Sequence, residues 1–157
     1  MNTIPKKLNE FLKVSKVKYQ TITHPEAFTA QETAAVEHIT GKEVAKVLMV
    51  KADGKDVMIV LPANRKVDME KLKKILSAKD VRLTGEKEFQ TLFPDSQVGA
   101  MPPFGNLYNL PCYLDKTLAA FPEIVFNAGS HRESIKMSYK DYEKLAQPKI
   151  AEFSILP

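Results

Sequence analysis

A lysine inside an apolar segment is the first residue of this sequence whose type and position could serve chemistry. Lys46 lies within residues 44–50, where every other residue is apolar. Burying an ammonium group is costly unless it meets a partner. Two interpretations stay open. Lys46 either reaches solvent from a strand end through its methylene chain, or it is a cation in a cleft that meets a phosphate or a carboxylate.

A second candidate follows the predicted strand at residues 123–128, which has Ile-Val-Phe at its centre. Gly129, Ser130, His131 and Arg132 are predicted to form a turn, and exposed turns often carry polar ligand contacts. His131 could act as a general base or donate a hydrogen bond, and Arg132 could bind an anion. The alternative is a hairpin turn with polar tips and no ligand.

Residues 99–111 combine a stiff backbone with apolar side chains. Three of the ten prolines and two of the six glycines lie there, so neither a helix nor a central strand is expected. Gly99 and Gly105 permit a ligand to approach the backbone closely. Five side chains of this segment favour burial: Met101, Phe104, Leu107, Tyr108 and Leu110. The segment is therefore either a binding wall or a structural crossover between two strands.

The other potential nucleophiles and metal ligands form no catalytic or metal-binding pattern that can be recognised in the sequence. Cys112 is the single cysteine and follows Pro111 without an identifiable base, so we interpret it as a core residue. The three histidines, His24, His38 and His131, lie far apart and lack the spacing of a metal site. A Ser-His-Asp triad cannot be read from sequence, since that arrangement is spatial. We expect no metal and no cofactor.

The elements that must position these residues mix helices and strands without a regular βαβ alternation. Helices are predicted at residues 3–14, 29–38, 68–76, 84–93 and 138–146, with Thr3, Thr29, Asp68 and Ser138 as caps of four of them. Strands are predicted at residues 17–23, 45–52, 57–62, 81–83, 111–114, 123–128, 134–137 and 150–155, with a hairpin at Asp53-Gly54. This order predicts a single α+β domain over residues 1–157 with a largely antiparallel sheet.

Length and composition exclude several classes of protein. A chain of 157 residues, 44% of them hydrophobic, can bury roughly two-thirds of its unfolded surface. No apolar segment approaches the roughly 20 residues of a membrane span, and we expect no signal peptide. A single cysteine favours a cytoplasmic protein. The net charge of +4 is compatible with a nucleic-acid partner, although we interpret the lysines at positions 6–7 and 71–74 as solvated helix faces.

Four motifs, taken in order, resemble the YbaK/EbsC family, an editing domain related to the insertion domain of bacterial prolyl-tRNA synthetases. They are residues 29–35 of the second predicted helix, residues 45–48, the G-x-x-x-P loop of residues 99–103 with Phe104 and Gly105, and residues 125–132. Each motif is weak alone. Their order and spacing, over about residues 5–153, carry the resemblance.

The resemblance implies a free-standing hydrolase that cleaves, without a metal, the ester between a wrong amino acid and the 3′ end of a tRNA. It implies catalytic roles for Lys46, Gly99 and His131. The substrate-binding positions that it implies are Thr29, Ala100, Met101, Pro102, Pro103, Phe104, Gly105, Gly129 and Ser130. It further implies a barrel-like sheet, the acceptor end of an aminoacyl-tRNA as partner, and a prolyl-tRNA synthetase as a candidate second partner.

The substrate that the resemblance favours is alanine on tRNA for proline. Gly129-Ser130-His131 is similar to the alanine-clearing branch of the family, whereas the cysteine-clearing branch tends to carry Gly-Gly-Arg-Arg at this place. Cysteine and serine esters are therefore less favoured. Two alternatives stay open: a tRNA-binding or regulatory module that kept the fold and lost turnover, and a hydrolase that uses Cys112.

Overall fold

The computed structural model describes residues 4–23, 44–97 and 99–156, which form an α+β arrangement. The helices are α1 (Lys6–Ser15), α2 (Met69–Leu76), α3 (Glu86–Phe89) and α4 (Tyr139–Ala146). The strands are β1 (Tyr19–Thr23), β2 (Val44–Ala52), β3 (Lys55–Pro62), β4 (Lys66–Val67), β5 (Val81–Leu83), β6 (Cys112–Asp115), β7 (Glu123–Ser130), β8 (Glu133–Ser138), β9 (Lys149–Ala151) and β10 (Ser154–Ile155). Short 3-10 helices cover Gln90–Leu92, Gly105–Tyr108 and Lys116–Ala120.

Eight strands form one mixed sheet in the order β1-β8-β7-β2-β3-β6-β9, with β5 paired to β2. The pairs β1–β8, β7–β8, β2–β3 and β2–β5 are antiparallel, and the pairs β2–β7, β3–β6 and β6–β9 are parallel. Strands β4 and β10 form a separate two-stranded sheet. The α+β class is confirmed. In the described part of the chain the sheet path ends at β1 and β9 without closing, which refines the barrel-like expectation.

The β2–β3 hairpin forms where the sequence predicted it. Asp53 and Gly54 have φ angles of 51° and 84°, and positive φ at both central residues is what a two-residue type I′ turn requires. The turn fixes a register that pairs Ala52 with Lys55 and continues to Ala45 and Pro62. Because side chains alternate along a strand, this register also fixes which residues of β2 face each side of the sheet.

The sheet separates two apolar cores. The loop-side core packs α1, α4 and part of residues 99–111 against one face, and its fully buried side chains include Leu8, Phe104, Phe126 and Tyr142. The α2-side core covers part of the other face and includes Ile59, Leu72 and Phe153. A small cluster of Val44, Ala63 and Val125 forms a third group. The near-continuous apolar character of β2 and β3 follows from this coverage on both faces.

Helix caps confirm two of the predicted helix starts. The Asp68 carboxylate accepts hydrogen bonds from the N–H groups of Glu70 and Lys71 at the start of α2. The Ser138 hydroxyl accepts one from the N–H of Asp141 at the start of α4. Both side chains bind donors that the first turn of a helix leaves unpaired.

Other helix boundaries differ from the predictions. Helix α1 begins at Lys6 with Pro5 at the N-cap position, and the predicted cap Thr3 lies outside the described residues. The helix predicted at residues 84–93 is instead α3 followed by a 3-10 turn. The helix predicted at residues 29–38, with Thr29, lies outside the described residues. None of the described helices is long and apolar enough to cross a lipid bilayer.

Asp115 fastens the C-terminal segment to the end of β6. Its side chain is 1% exposed, and Oδ1 accepts hydrogen bonds of 3.0 Å from the N–H groups of Phe153 and Ser154. Oδ2 accepts from the N–H and the hydroxyl of Thr117. Burial disfavours the charged form, but these hydrogen bonds outweigh it and lower the pKa of Asp115.

We expect Asp115→Asn to lower the free energy of unfolding at pH 7 by about 1–3 kcal/mol, because it weakens charge-assisted hydrogen bonds to buried donors. The folded pKa lies below the unfolded value of about 3.9. The carboxylate therefore stabilises the fold above that value, and the contribution is lost as pH falls through the folded pKa. Urea unfolding should show a smaller difference between Asp115→Asn and wild type at pH 3 than at pH 7.

The control for this measurement is Asp68→Asn. It keeps an N-cap acceptor of nearly equal strength and should change the free energy of unfolding by only a few tenths of a kcal/mol. A difference between Asp115→Asn and wild type that does not depend on pH would contradict the assigned role of the carboxylate.

Candidate functional site

Main-chain hydrogen bonds join residues 97–100 to the end of β7. The N–H of Gly129 donates to the carbonyl of Ala100, and the N–H of Gln97 donates to the carbonyl of Gly129, both at 2.8 Å. The N–H of His131 donates to Oε1 of the Gln97 side chain at 2.8 Å across 34 residues of sequence. The loop and the strand end, two separate candidates from the sequence, are therefore in direct contact.

His131 lies directly behind Gly99. A Cβ atom built at Gly99 would be 3.5 Å from Cε1 and 4.0 Å from Nε2 of His131. Gly99 is exposed, whereas His131 is only 7% exposed. Gly99 has a φ of 85°, a conformation that glycine adopts without strain. A glycine at this position places no side chain between solvent and the edge of the imidazole.

The turn beside His131 is shorter than the sequence predicted. β7 continues to Ser130 and β8 begins at Glu133, so only His131 and Arg132 form the turn, and the prediction of a turn from Gly129 was wrong. A register shift between Asn127 and Ser130 marks a β-bulge, which lets the strand continue past a glycine with positive φ. Ser130 and His131 are buried and Arg132 is exposed at the tip.

Gly129 also fixes the position of α1. A Cβ atom at Gly129 would clash with Cδ and Cγ of Pro5, and the φ of Gly129 is 94°. Only glycine satisfies both conditions. Since Pro5 is the N-cap residue of α1, the N-terminal end of that helix rests on the end of β7, close to Gly99 and His131.

Gly99 is exposed, but the loop that follows it is buried. All residues from 100 to 105 are buried: Ala100, Met101, Pro102, Pro103, Phe104 and Gly105. The ring of Phe104 meets Phe126 and Tyr142 edge to face, with centroids 5.6 and 5.2 Å apart. The Tyr142 hydroxyl donates to the carbonyl of Pro103 at 2.7 Å. The apolar side chains of this segment thus belong largely to the loop-side core, which holds the backbone in place.

Lys46 lies on β2, the strand next to β7. The parallel pairing of Ala45 with Phe126 places Lys46 level with Asn127. Lys46 is partly buried, and desolvation lowers its pKa. Within the described residues, no hydrogen bond or ion pair engages its ammonium group. An anion or a carbonyl oxygen bound there would offset part of the cost of burying the charge.

Two polar side chains that the sequence analysis did not assign share the face of Lys46. Strand alternation places Lys46 with Val44, and Asn127 with Val125, on the side of the small cluster that Val44 and Val125 form. Ser134 of β8 pairs with Asn127. Asn127 is 8% exposed and Ser134 is fully buried. Asn127 could have been selected from the sequence, because it is a polar residue in the largely apolar segment before Gly129. Nothing in the sequence indicates a role for Ser134 or Gln97.

The structure gathers part of the predicted site. Gly99, Ala100, Gly129 and His131 lie together, and Lys46 is on the adjacent strand without direct contact to them in the described residues.

Cys112 is a core residue, as predicted. It is 8% exposed, and burial raises the pKa of its thiol to about 11. At neutral pH it is therefore a protonated thiol rather than a nucleophilic thiolate.

Other surface features lie apart from this site. A cavity of about 310 Å³ lies beside the β2–β3 turn and is lined by Asp53 and Tyr113 among others. A second, of about 330 Å³, lies beside Arg65 and Phe121. Neither includes Lys46, Gly99 or His131 in its lining. Among residues 4–23, 44–97 and 99–156, no group of three or more His, Cys, Asp or Glu side chains is arranged to hold a metal ion.

Two known proteins resemble the chain over most of its length. The multifunctional Ser/Thr-tRNA deacylase ProXp-y of Escherichia coli K12 is 26% identical over 140 residues, which are 86% of this chain and 83% of the relative. A proline–tRNA ligase of Solidesulfovibrio magneticus is 30% identical over 138 residues, which are 81% of this chain and 24% of the ligase. The chain therefore matches about a quarter of the ligase.

A solved structure supports the same fold. It is described as a candidate trans-editing enzyme for prolyl tRNA synthetase, and it matches with a TM-score of 0.83 at 20% identity over 96% of both chains. Residues 24–145 match the family model described as the aminoacyl-tRNA editing domain, and the resemblance drawn from the four motifs is thereby confirmed. The chain belongs to the aminoacyl-tRNA editing domain family.

Proposed function

We propose that this chain is a trans-editing aminoacyl-tRNA deacylase that hydrolyses the ester between a mischarged small amino acid and the 3′ end of its tRNA. The observation that supports this most strongly is the hydrogen-bonded joint between residues 97–100 and the end of β7, with His131 behind Gly99. This contact region combines a fixed main chain with the imidazole of His131, and the ammonium group of Lys46 lies on the neighbouring strand. These groups are suited to the hydrolysis of an aminoacyl ester, which is already activated.

The proposed reaction requires little covalent chemistry from the protein itself. A water molecule attacks the ester carbonyl carbon and gives up a proton, so that a tetrahedral oxyanion forms. The bond to the ribose oxygen then breaks, that oxygen takes a proton, and free amino acid and tRNA leave. Orientation of the reactants and stabilisation of the oxyanion supply most of the rate acceleration in this type of reaction.

Each part of the site has a proposed role in this scheme. The main chain of residues 99–101 holds the ester, and His131 positions the water or the substrate amine. Lys46 orients the carbonyl or the 3′-terminal phosphate and does not act as a nucleophile. No metal takes part, because the ester is activated enough for a positioned water.

Alanine on tRNA for proline is the proposed substrate. The relative from Escherichia coli is described as acting on Ser/Thr-tRNA, so seryl and threonyl esters are the direct competitors. A small pocket rejects larger side chains sterically, and in such a pocket one methylene changes selectivity by about 10–200-fold. Because the chain matches a region of a proline–tRNA ligase, a prolyl-tRNA synthetase is the proposed second partner.

The test is release of amino acid from a panel of aminoacyl-tRNAs. The panel contains Ala-, Cys-, Ser- and Pro-tRNA for proline, together with alanine, serine and threonine on their own tRNAs. We expect selective hydrolysis of alanyl-tRNA for proline, with prolyl-tRNA spared and the rate unchanged by EDTA. Retained tRNA binding without hydrolysis of any ester would instead identify an inactive binding module.

Lys46→Ala should lower kcat/KM for the best substrate by about 10²–10³-fold, the range for loss of one group that stabilises a transition state. The free energy of unfolding should not fall, since the substitution removes a partly buried charge that has no partner in the described residues. The control is Lys55→Ala at the exposed end of the same hairpin, which should keep full activity. Full activity in Lys46→Ala would exclude the proposed role of this lysine.

Gly99→Ala should lower kcat/KM by about 10²-fold, because a shift of the loop backbone misplaces the ester. The matched control is Gly54→Ala: the φ angles of Gly99 and Gly54 are 85° and 84°, and nothing lies within 4 Å of a Cβ at Gly54. Both variants should lose about 1–2 kcal/mol of unfolding free energy through backbone strain. Equal kinetic effects in the two variants would show that only stability had changed.

A further inference from the structure

The net positive charge of the chain is concentrated in and just after its first helix. Residues 4–18 contain five lysines, Lys6, Lys7, Lys13, Lys16 and Lys18, and one acidic residue, Glu10. Five positive charges and one negative charge give +4, which is the net charge of the whole chain. The rest of the sequence is balanced, with eighteen basic and eighteen acidic residues.

The lysines of this segment are exposed and largely unpaired. Helical periodicity puts Lys6 and Lys13 on the same side of α1 and Lys7 about 100° round the helix axis, and all five lysines of residues 4–18 are exposed. The Lys6 ammonium lies 3.8 Å from a Glu10 carboxylate oxygen, an exposed ion pair of little energetic value. No other ion pair joins these lysines to a described residue. The exposed face of α1 is therefore free to meet an anionic surface.

This face begins beside the candidate site. Pro5 at the start of α1 contacts Gly129, and Phe11 meets Phe104 edge to face with centroids 6.0 Å apart. The Lys7 ammonium lies 5.2 Å from the ring centroid of Tyr108, at the end of the loop that starts at Gly99. Ten helical residues extend about 15 Å, so the positive charges continue from the site outward along α1.

We propose that the exposed face of α1, together with Lys16 and Lys18, binds the phosphate backbone of the tRNA acceptor stem while the aminoacylated 3′ end occupies the site beside Gly99. The proposal rests on the deacylase function proposed above. Lysines that meet phosphates position a nucleic acid without reading its sequence. It departs from the interpretation of Lys6 and Lys7 as solvated residues, because their place beside the site gives them an anionic partner.

The second group of lysines in the chain does not lie beside the candidate site. Lys71, Lys73 and Lys74 lie on α2, which packs against the α2-side core away from residues 97–105. The Lys73 ammonium also lies 4.0 Å from Glu70. Their removal is therefore a control that subtracts the same charge from a different surface.

The test compares two triple variants: Lys6→Gln, Lys7→Gln and Lys13→Gln on α1, and Lys71→Gln, Lys73→Gln and Lys74→Gln on α2. Each is assayed on an aminoacyl-tRNA and on the same amino acid esterified to adenosine, which has no stem. On tRNA, we expect the α1 variant to lose about tenfold in kcat/KM at low salt. Its slope of log kcat/KM against log salt should be shallower by about one for each lysine that contacts a phosphate.

The adenosine ester separates the possible outcomes. The α1 variant should hydrolyse it like wild type, and the α2 variant should match wild type on both substrates. An α1 variant with wild-type rate and salt slope on tRNA, or one that loses activity equally on both substrates, would overturn the proposed surface. If wild type hydrolyses neither substrate, the proposed deacylase function itself fails.

Discussion

The candidate site depends on the hydrogen bonds that join residues 97–100 to Gly129, because nothing local in sequence would place Gly99 beside His131. Each such bond contributes about 0.5–1.5 kcal/mol net. Gly129 has positive φ, and a side chain at this position would collide with Pro5. Three parts of the chain meet at this glycine: the loop, the end of β7 and the start of α1. Its position therefore sets both the site and the direction in which α1 leaves it.

The loop-side core makes this arrangement rigid. Phe104 is fully buried against Phe126 and Tyr142, and the Tyr142 hydroxyl holds the carbonyl of Pro103. A backbone held in this way can stabilise a developing oxyanion without reorganising during the reaction. Lys46 lies on the opposite face of the sheet from the loop-side core, and desolvation lowers its pKa. A partly buried cation on β2 is understandable if a ligand supplies the negative partner.

Features that depend on local chemistry could be predicted from the sequence. The helix caps at Asp68 and Ser138 could be predicted because each capping bond reaches only two or three residues ahead. The turn predicted from Gly129 was wrong because the bulge there depends on contacts with a segment about thirty residues earlier. Gln97 could not be found for the same reason. Asn127 carried a signal, a polar residue in an apolar strand, but its place beside Lys46 depends on the pairing of β2 with β7.

We propose that three groups together hold the aminoacyl ester: the main chain of residues 99–101, His131 and Lys46. The most direct measurement is a crystal structure with an analogue of 3′-aminoacyl-adenosine in which an amide replaces the ester. We expect the amide carbonyl to lie within hydrogen-bonding distance of the main chain of residues 99–101, with Lys46 Nζ directed at the analogue. An analogue bound elsewhere, for example in the cavity beside Asp53 and Tyr113, would contradict it.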